Sequence, residues 1–299
     1  MALATATRHA RGMPYFQSHD GTSLFFSDWG RGQPVVFTHA WGLCSDQWTY
    51  QVPALLDAGL RPVTYDRRGH GRSDVPGHGY DFDTLADDLA AVIDRLDLER
   101  VTLVGHSLGS REIVRYLTRH GSGRVERVVL VAPTTPFMLR TADNPDGIPS
   151  ELVQANYDAI RANLPKWCAD FEAAGPYFGT IGRDVRGLVD WTIRLIVATP
   201  LQVLLETNRQ MITVDMRPEL PLIDVPTLII HGDADASAPI ALTGRRTAQL
   251  IPQARLIEYA GAGHGLYASE HERLNADLLA FIGATGTHCH QPELAESAT

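Results

Sequence analysis

Short, almost wholly apolar runs alternate along this chain with longer stretches in which apolar residues recur every three or four positions. The short runs are "SLFFSDW" from Ser23, "PVVFTHA" from Pro34, "PVTYD" ending at Asp66, "RVTLVG" from Arg100, "RVVLVAP" from Arg127, "TLIIHGD" from Thr227 and "ARLIEYAGAGH" from Ala254. Rich in Val, Ile and Phe and bounded by Gly, Pro and Asp, they read as strands covered on both faces. Helical spacing follows several of them. Leu85, Leu89, Val92, Ile93 and Leu96 mark one helix, with Asp83 or Thr84 as its cap; Ile113, Val114, Tyr116 and Leu117 mark another, and "NADLLAFI" closes the pattern. The rhythm predicts an α/β fold, a mostly parallel sheet flanked by helices.

At Thr134 the rhythm stops, and it resumes only near Val225. The intervening segment holds "ADNPDGIP" and helix-like pieces carrying Tyr157, Trp167, Phe171, Tyr177, Phe178 and Trp191. A structureless loop of that length does not fit a compact domain. The expectation is a core of residues 14–134 and 226–284 interrupted by a helical cap over 135–225. Residues 1–13 and the polar tail 285–299 read as flexible termini.

Composition removes several classes of function. A net charge of -9 with no basic run excludes nucleic acid as a partner. No apolar stretch approaches the roughly 18 residues of a membrane span, and "MALATATRHARGMPYF" lacks the apolar core of a signal peptide. Cys44, Cys168 and Cys289 are odd in number and far apart, which is no disulfide framework. A cytoplasmic location and a small-molecule partner follow as expectations.

The candidate chemistry begins in "LVGHSLGSREIVRY", from Leu103. Gly105-His106-Ser107-Leu108-Gly109 lies between an expected strand and an expected helix, the context in which Gly-x-Ser-x-Gly forms a nucleophile elbow. A serine hydroxyl needs a base to take its proton and an acid to orient that base. Past the insertion, Asp233 and Asp235 in "TLIIHGDADASAP" are candidate acids, and His264 in "YAGAGHG" is the candidate base. Both segments follow strands, in the chain order Ser, acid, His. The Leu108 N–H is one expected oxyanion donor, and the Trp41 N–H in "THAWGLCSDQW" is the other. Cys44, nearby, reads as a small packed thiol.

With these motifs the chain resembles the α/β-hydrolases, and within them the cofactor-free haloperoxidase and aryl esterase group, also called non-heme chloroperoxidases. The likeness runs from about Met13 to Ile282. It is carried by "YDRRGHGRSD", "YDFDTLADDL", "GHSLG", "VVLVAP", "ADNPDGIP", "HGDADASAP" and "GAGHG". It implies an α/β-hydrolase fold with a helical cap, the triad Ser107, Asp235 and His264, and neither metal nor heme. It favours Asp235 over Asp233 and makes Asp66 a structural acid. Relatives carry Gly-Trp-Pro where this chain has Ala40-Trp41-Gly42, which puts the perhydrolase activity behind the family name in doubt. Where relatives often have Phe, this elbow has His106, read as packed; Arg111, in place of a small residue, reads as a surface charge.

The leading expectation is therefore a serine hydrolase that cleaves an apolar or aromatic carboxylic ester or lactone through an acyl-serine. Trp167, Phe171, Phe178 and Trp191 are expected as pocket walls. The same triad also suits C–C bond hydrolysis, lyase or isomerase work on a polyketide-like ligand, or a slow-turnover, receptor-like binder.

Overall fold

The structure, a computed structural model, describes residues 14–174, 177–179 and 185–283. The expected flexible termini, with Cys289, lie outside the described residues.

Eight strands form one sheet: β1 (Tyr15–Gln17), β2 (Ser23–Asp28), β3 (Pro34–Thr38), β4 (Arg61–Tyr65), β5 (Val101–His106), β6 (Val125–Val131), β7 (Thr227–Gly232) and β8 (Ala254–Tyr259). Their order is β1-β2-β4-β3-β5-β6-β7-β8. β1 and β2 run antiparallel, and everything from β4 to β8 is parallel. β1 has no counterpart in the apolar pattern, because three residues are too few to show a period.

The helices are α1 (Gln51–Asp57), α2 (Phe82–Arg95), α3 (Leu108–His120), α4 (Ser150–Ala162), α5 (Leu164–Ala174), α6 (Arg186–Ala198), α7 (Leu201–Thr213), α8 (Gly244–Leu250), α9 (Leu266–Ser269) and α10 (His271–Ile282). Alternation along the strands divides the interior into two cores. Val36, Leu103, Val128, Leu130 and Ile229 pack with Leu85, Leu89 and Val92 of α2 and with Ile113 and Val114 of α3. Val35, Phe37, Val104, Val129 and Ile230 face the other side, against Leu55 of α1 and Leu274 and Leu278 of α10. The central strands β3, β5 and β7 are buried at every position, which is why they read as unbroken apolar runs.

The cap of α2 differs from the expectation. Asp81, in extended conformation, accepts from the Thr84 N–H, so the helix begins before Asp83. The side chain best placed to satisfy a first-turn N–H stands just outside the apolar pattern. Between β6 and β7 the described residues hold the four helices α4–α7 and no strand of the sheet. Among the described residues no single helix is long and apolar enough to cross a membrane.

Candidate active site

Every element of the site hangs from the carboxyl edge of the parallel strands, where open α/β sheets place their chemistry. β5 ends at His106, and Ser107 turns the chain directly into α3. Ser107 has φ 56° and ψ -117°, a strained conformation for a residue with a side chain. The turn closes because its flanks are bare. A Cβ on Gly105 would lie 2.7 Å from the Gly109 carbonyl oxygen, and one on Gly109 would lie 2.5 Å from the Thr38 carbonyl oxygen. The Ser107 N–H donates to Val131 at 3.0 Å, and the Ser107 carbonyl accepts from the Ser110 N–H at 3.0 Å.

His264 Nε2 stands 2.9 Å from Ser107 Oγ, and His264 Nδ1 stands 2.6 Å from Asp235 Oδ2. Asp235 Oδ2 also accepts from His231 Nε2 at 3.0 Å, while its Oδ1 takes the Ser237 and Ala238 N–H groups at 2.8 Å each. Burial opposes ionisation of this carboxyl, but the two imidazoles and the hydrogen bonds outweigh it and hold Asp235 well below the ordinary carboxylate range. Asp233 points elsewhere and accepts from the Gly261 N–H at 2.6 Å. The structure thus brings Ser107, His264 and Asp235 into one series and leaves Asp233 out.

Tyr177, Phe178 and Gly179, between α5 and α6, lie against the His264 loop. The Gly265 N–H donates to the Tyr177 carbonyl at 2.7 Å, and Gly179 bridges Ala262. A Cβ on Gly263 would lie 2.4 Å from the Gly179 nitrogen. The glycines around His264 are therefore close-approach positions.

Trp41 and Leu108 hold the other expected donors. Leu108 is the first residue of α3, where N–H groups lack intrahelical partners. Among the described residues neither the Trp41 nor the Leu108 N–H donates a hydrogen bond. The Trp41 indole donates to the Leu204 carbonyl at 2.9 Å, tying this loop to α7. Beneath it, Arg67 pairs with Glu112 at 2.7 Å and donates to the His39 carbonyl at 2.7 Å.

A network absent from the sequence expectations joins the two loops. Ala40 N–H donates to Gln47 Oε1 at 2.9 Å, Gln47 Nε2 donates to His106 Nδ1 at 2.9 Å, and His106 Nε2 donates to the His264 carbonyl at 2.9 Å. The pattern assigns His106 the tautomer with hydrogen on Nε2. Burial, and then the nearby His264, push its pKa well below the imidazole value. His106 is packed and also braces the backbone of His264. No spacing rule could pair it with Gln47, 59 positions away.

Arg111 is not the surface charge expected of it. It is fully buried and donates to the Thr134 carbonyl at 2.6 Å and the Val214 carbonyl at 2.8 Å. Its helix face turns to the connection after β6, whose carbonyls lack strand partners. Asp66 accepts from Ser45 N–H and from the backbone and side chain of Arg72, each at 2.8 Å, and holds two loops together. Cys44 is buried, and burial followed by the charge of Asp66 pushes its thiol up to about 12.

A cavity of about 310 Å³ opens above Ser107 and His264. Trp41, Trp167, Phe171 and Phe178 form much of its wall. Trp167 and Phe171, one turn apart on α5, stack at 5.3 Å. Trp191, expected as a wall, is not one; its ring faces buried Tyr267 at 6.5 Å. On α6 the cavity stripe is Val189, Thr192, Ile193 and Ile196, and Trp191 falls on the flank of that stripe. Among the described residues no group of three or more His, Cys, Asp or Glu side chains is arranged to hold a metal ion.

The pattern of an α/β-hydrolase fold matches residues 33–165. Along most of its length the chain is 41% identical over 273 residues to a non-heme haloperoxidase of Rhodococcus erythropolis, covering 90% of this chain and 99% of that one. The chain belongs to the α/β-hydrolase family of enzymes. Within the family it is similar to the non-heme haloperoxidases and to esterases. The bromoperoxidase of Bacillus anthracis superposes with a TM-score of 0.84 at 32% identity, covering 90% of this chain and 99% of the other. An esterase from Exiguobacterium antarcticum superposes with a TM-score of 0.84 at 30% identity, covering 90% and 98%.

Proposed function

We propose that this enzyme is a serine hydrolase that cleaves a carboxylic ester or lactone through an acyl-serine intermediate. The observation that carries the reading is the series Ser107, His264, Asp235, spaced 2.9 and 2.6 Å apart at the floor of a largely apolar cavity. His264 Nε2 takes the Ser107 proton as Oγ attacks the carbonyl carbon. The charge that develops on the carbonyl oxygen meets the N–H groups of Trp41 and Leu108. His264 returns the proton to the departing alkoxide, which in a lactone stays tethered. A water, deprotonated by the same imidazole, then attacks the acyl-serine, releases the acid and restores Ser107. Asp235 remains a carboxylate throughout and stabilises the imidazolium.

The walls formed by Trp167, Phe171 and Phe178 suit an apolar or aromatic substrate, and the likeness to the Exiguobacterium esterase agrees with ester cleavage. Perhydrolysis is not part of the proposal. Gly42 holds φ +70°, a conformation that the proline ring forbids, so the loop is not the Gly-Trp-Pro loop with one side chain removed. The test is labelling with a fluorophosphonate, read by intact mass and peptide mapping. One adduct on the Ser107 peptide is expected, with ester turnover abolished by Ser107→Ala. Labelling and turnover that survive in Ser107→Ala overturn the reading.

A further inference from the structure

The cavity wall made by α4 and α7 carries two carboxamides, Asn156 and Asn208. The helices are joined beside them, because Tyr157 Oη donates to the Leu205 carbonyl at 2.8 Å. Asn156 Oδ1 accepts from the Trp167 indole at 2.9 Å. An indole N–H only donates, so this contact fixes the amide with its NH₂ group unused. Among the described residues Asn156 Nδ2 has no hydrogen-bond partner.

Asn208 is only 6% exposed, and its Oδ1 is buried without a hydrogen-bond partner. Among the described residues its Nδ2 makes no hydrogen bond either. The orphaned Oδ1 is an acceptor and could be met only by a donor, so the group left to meet an acceptor in the cavity is the NH₂ of each amide. The helix pattern offers no structural reason for Asn208, since a leucine at this position would continue the apolar stripe of Leu204, Met211 and Ile212.

The rest of the lining narrows the partner. Among the described residues, Glu172 and His264 are the only ionisable side chains of the lining other than Cys168 and Tyr177, and no Lys or Arg is among them. Among these residues an anionic substituent meets no fixed counter-ion. Burial raises the pKa of Glu172, whose carboxylate is already engaged by the Tyr177 N–H at 2.9 Å.

We propose that the NH₂ groups of Asn156 and Asn208 form a polar subsite that donates to an uncharged oxygen acceptor, a ketone or hydroxyl, on the substrate chain and distinct from the scissile carbonyl. The substrate class is then an apolar ester or lactone that carries one such oxygen. The assignment rests on the ester or lactone reading, but its test does not need turnover.

The probes are hexyl phenyl ether and the series of its ketones with the carbonyl at successive chain positions, with binding measured by calorimetry. The wild type, Ser107→Ala, Asn156→Leu, Asn208→Leu and Asn208→Asp are compared, each checked by thermal melting. At least one ketone should bind about tenfold more tightly than the parent ether in both the wild type and Ser107→Ala, the size of one well-made hydrogen bond. That preference should shrink to less than about threefold in each asparagine variant, while affinity for the parent ether holds or rises. Asn208→Asp keeps the size and, measured at pH 8.5 so that the carboxyl ionises, removes the donor, so it answers the question if the leucine variant melts early. A series with no preferred ketone in the wild type overturns the subsite, as does a preference that survives all three asparagine variants. The hydrolase reading fails separately, when ester turnover persists in Ser107→Ala.

Discussion

Asp233 and Asp235 differ in nothing that a sequence displays except their position, yet their surroundings make them different groups. Asp235 accepts from His264, His231 and two backbone N–H groups, whereas Asp233 accepts at the rim from Gly261. An amide at position 235 would present a donor or a weaker acceptor to His264 Nδ1 and would favour the wrong tautomer. Asp235→Asn is expected to lower kcat about 10⁴-fold with the fold retained. Asp233→Asn should lower it less than about tenfold. Steady-state kinetics on an aryl ester, beside circular dichroism of each variant, make the comparison; the opposite ranking would move the acid to Asp233. Gln47 and His106 belong to the same scale. Their bridge between the Ala40 loop and the His264 loop exists only after β3 and β5 pair, so neither residue carries a local signal.

At the scale of elements, the helices between β6 and β7 meet the sheet through the cavity. Trp167 and Phe171 lie on the cavity stripe of α5, and Trp191 lies off the stripe of α6. Trp167→Ala should move the peak of kcat/KM toward longer acyl chains, because it removes wall volume beside Trp41. Trp191→Ala should keep the profile and lower stability by about 3 kcal/mol or less, because it only loosens packing on Tyr267. Profiles over esters of increasing acyl length, together with melting curves, distinguish the two outcomes. A shifted profile in Trp191→Ala alone would reverse the assignment of the walls.

The sheet and its helices were legible because the central strands are covered on both faces and the helices on one, which writes periods into the chain. The aromatic content of the inserted segment was equally visible, but not which aromatic faces inward, since that needs the phase of each helix against its neighbours. Arg111 was misread for a related reason. An arginine inside is unexpected until the Thr134 and Val214 carbonyls that take its protons are known. Asp81 escaped notice because a cap lies outside the period that announces its helix.

At the scale of the whole molecule, four imidazoles among the described residues are enclosed without solvent, His39, His70, His106 and His231, and the first three have their pKa lowered. Burial is the first cause that lowers the pKa of each, reinforced by Arg67 beside His39 and His70 and by His264 beside His106; His70 is pushed down to about 3. A histidine whose folded pKa is lowered takes up its proton only on unfolding. The unfolded chain is therefore favoured as pH falls through the ordinary imidazole value of about 6.5, whereas above it the three groups contribute nothing. Between pH 7.5 and 5.5 each removes about 1.4 kcal/mol, or about 4 kcal/mol together. The carboxylates held low, among them Asp20 and Asp87, act in a different window. Their contribution is intact above the unfolded carboxyl value of about 4 and fades only as pH falls below it. Loss of stability between pH 6.5 and 4.5 thus belongs chiefly to the histidines. Urea unfolding at pH 7.5, 6.5 and 5.5, analysed as a two-state transition, should show that fall in free energy with an unchanged slope on denaturant. His106→Phe removes one of the three imidazoles, so it should reduce the fall to about 2.7 kcal/mol whatever it does to stability at pH 7.5. A fall in His106→Phe as large as that of the wild type would mean that this ring takes its proton inside the fold, and would overturn the acceptor role assigned to His106 Nδ1 against Gln47.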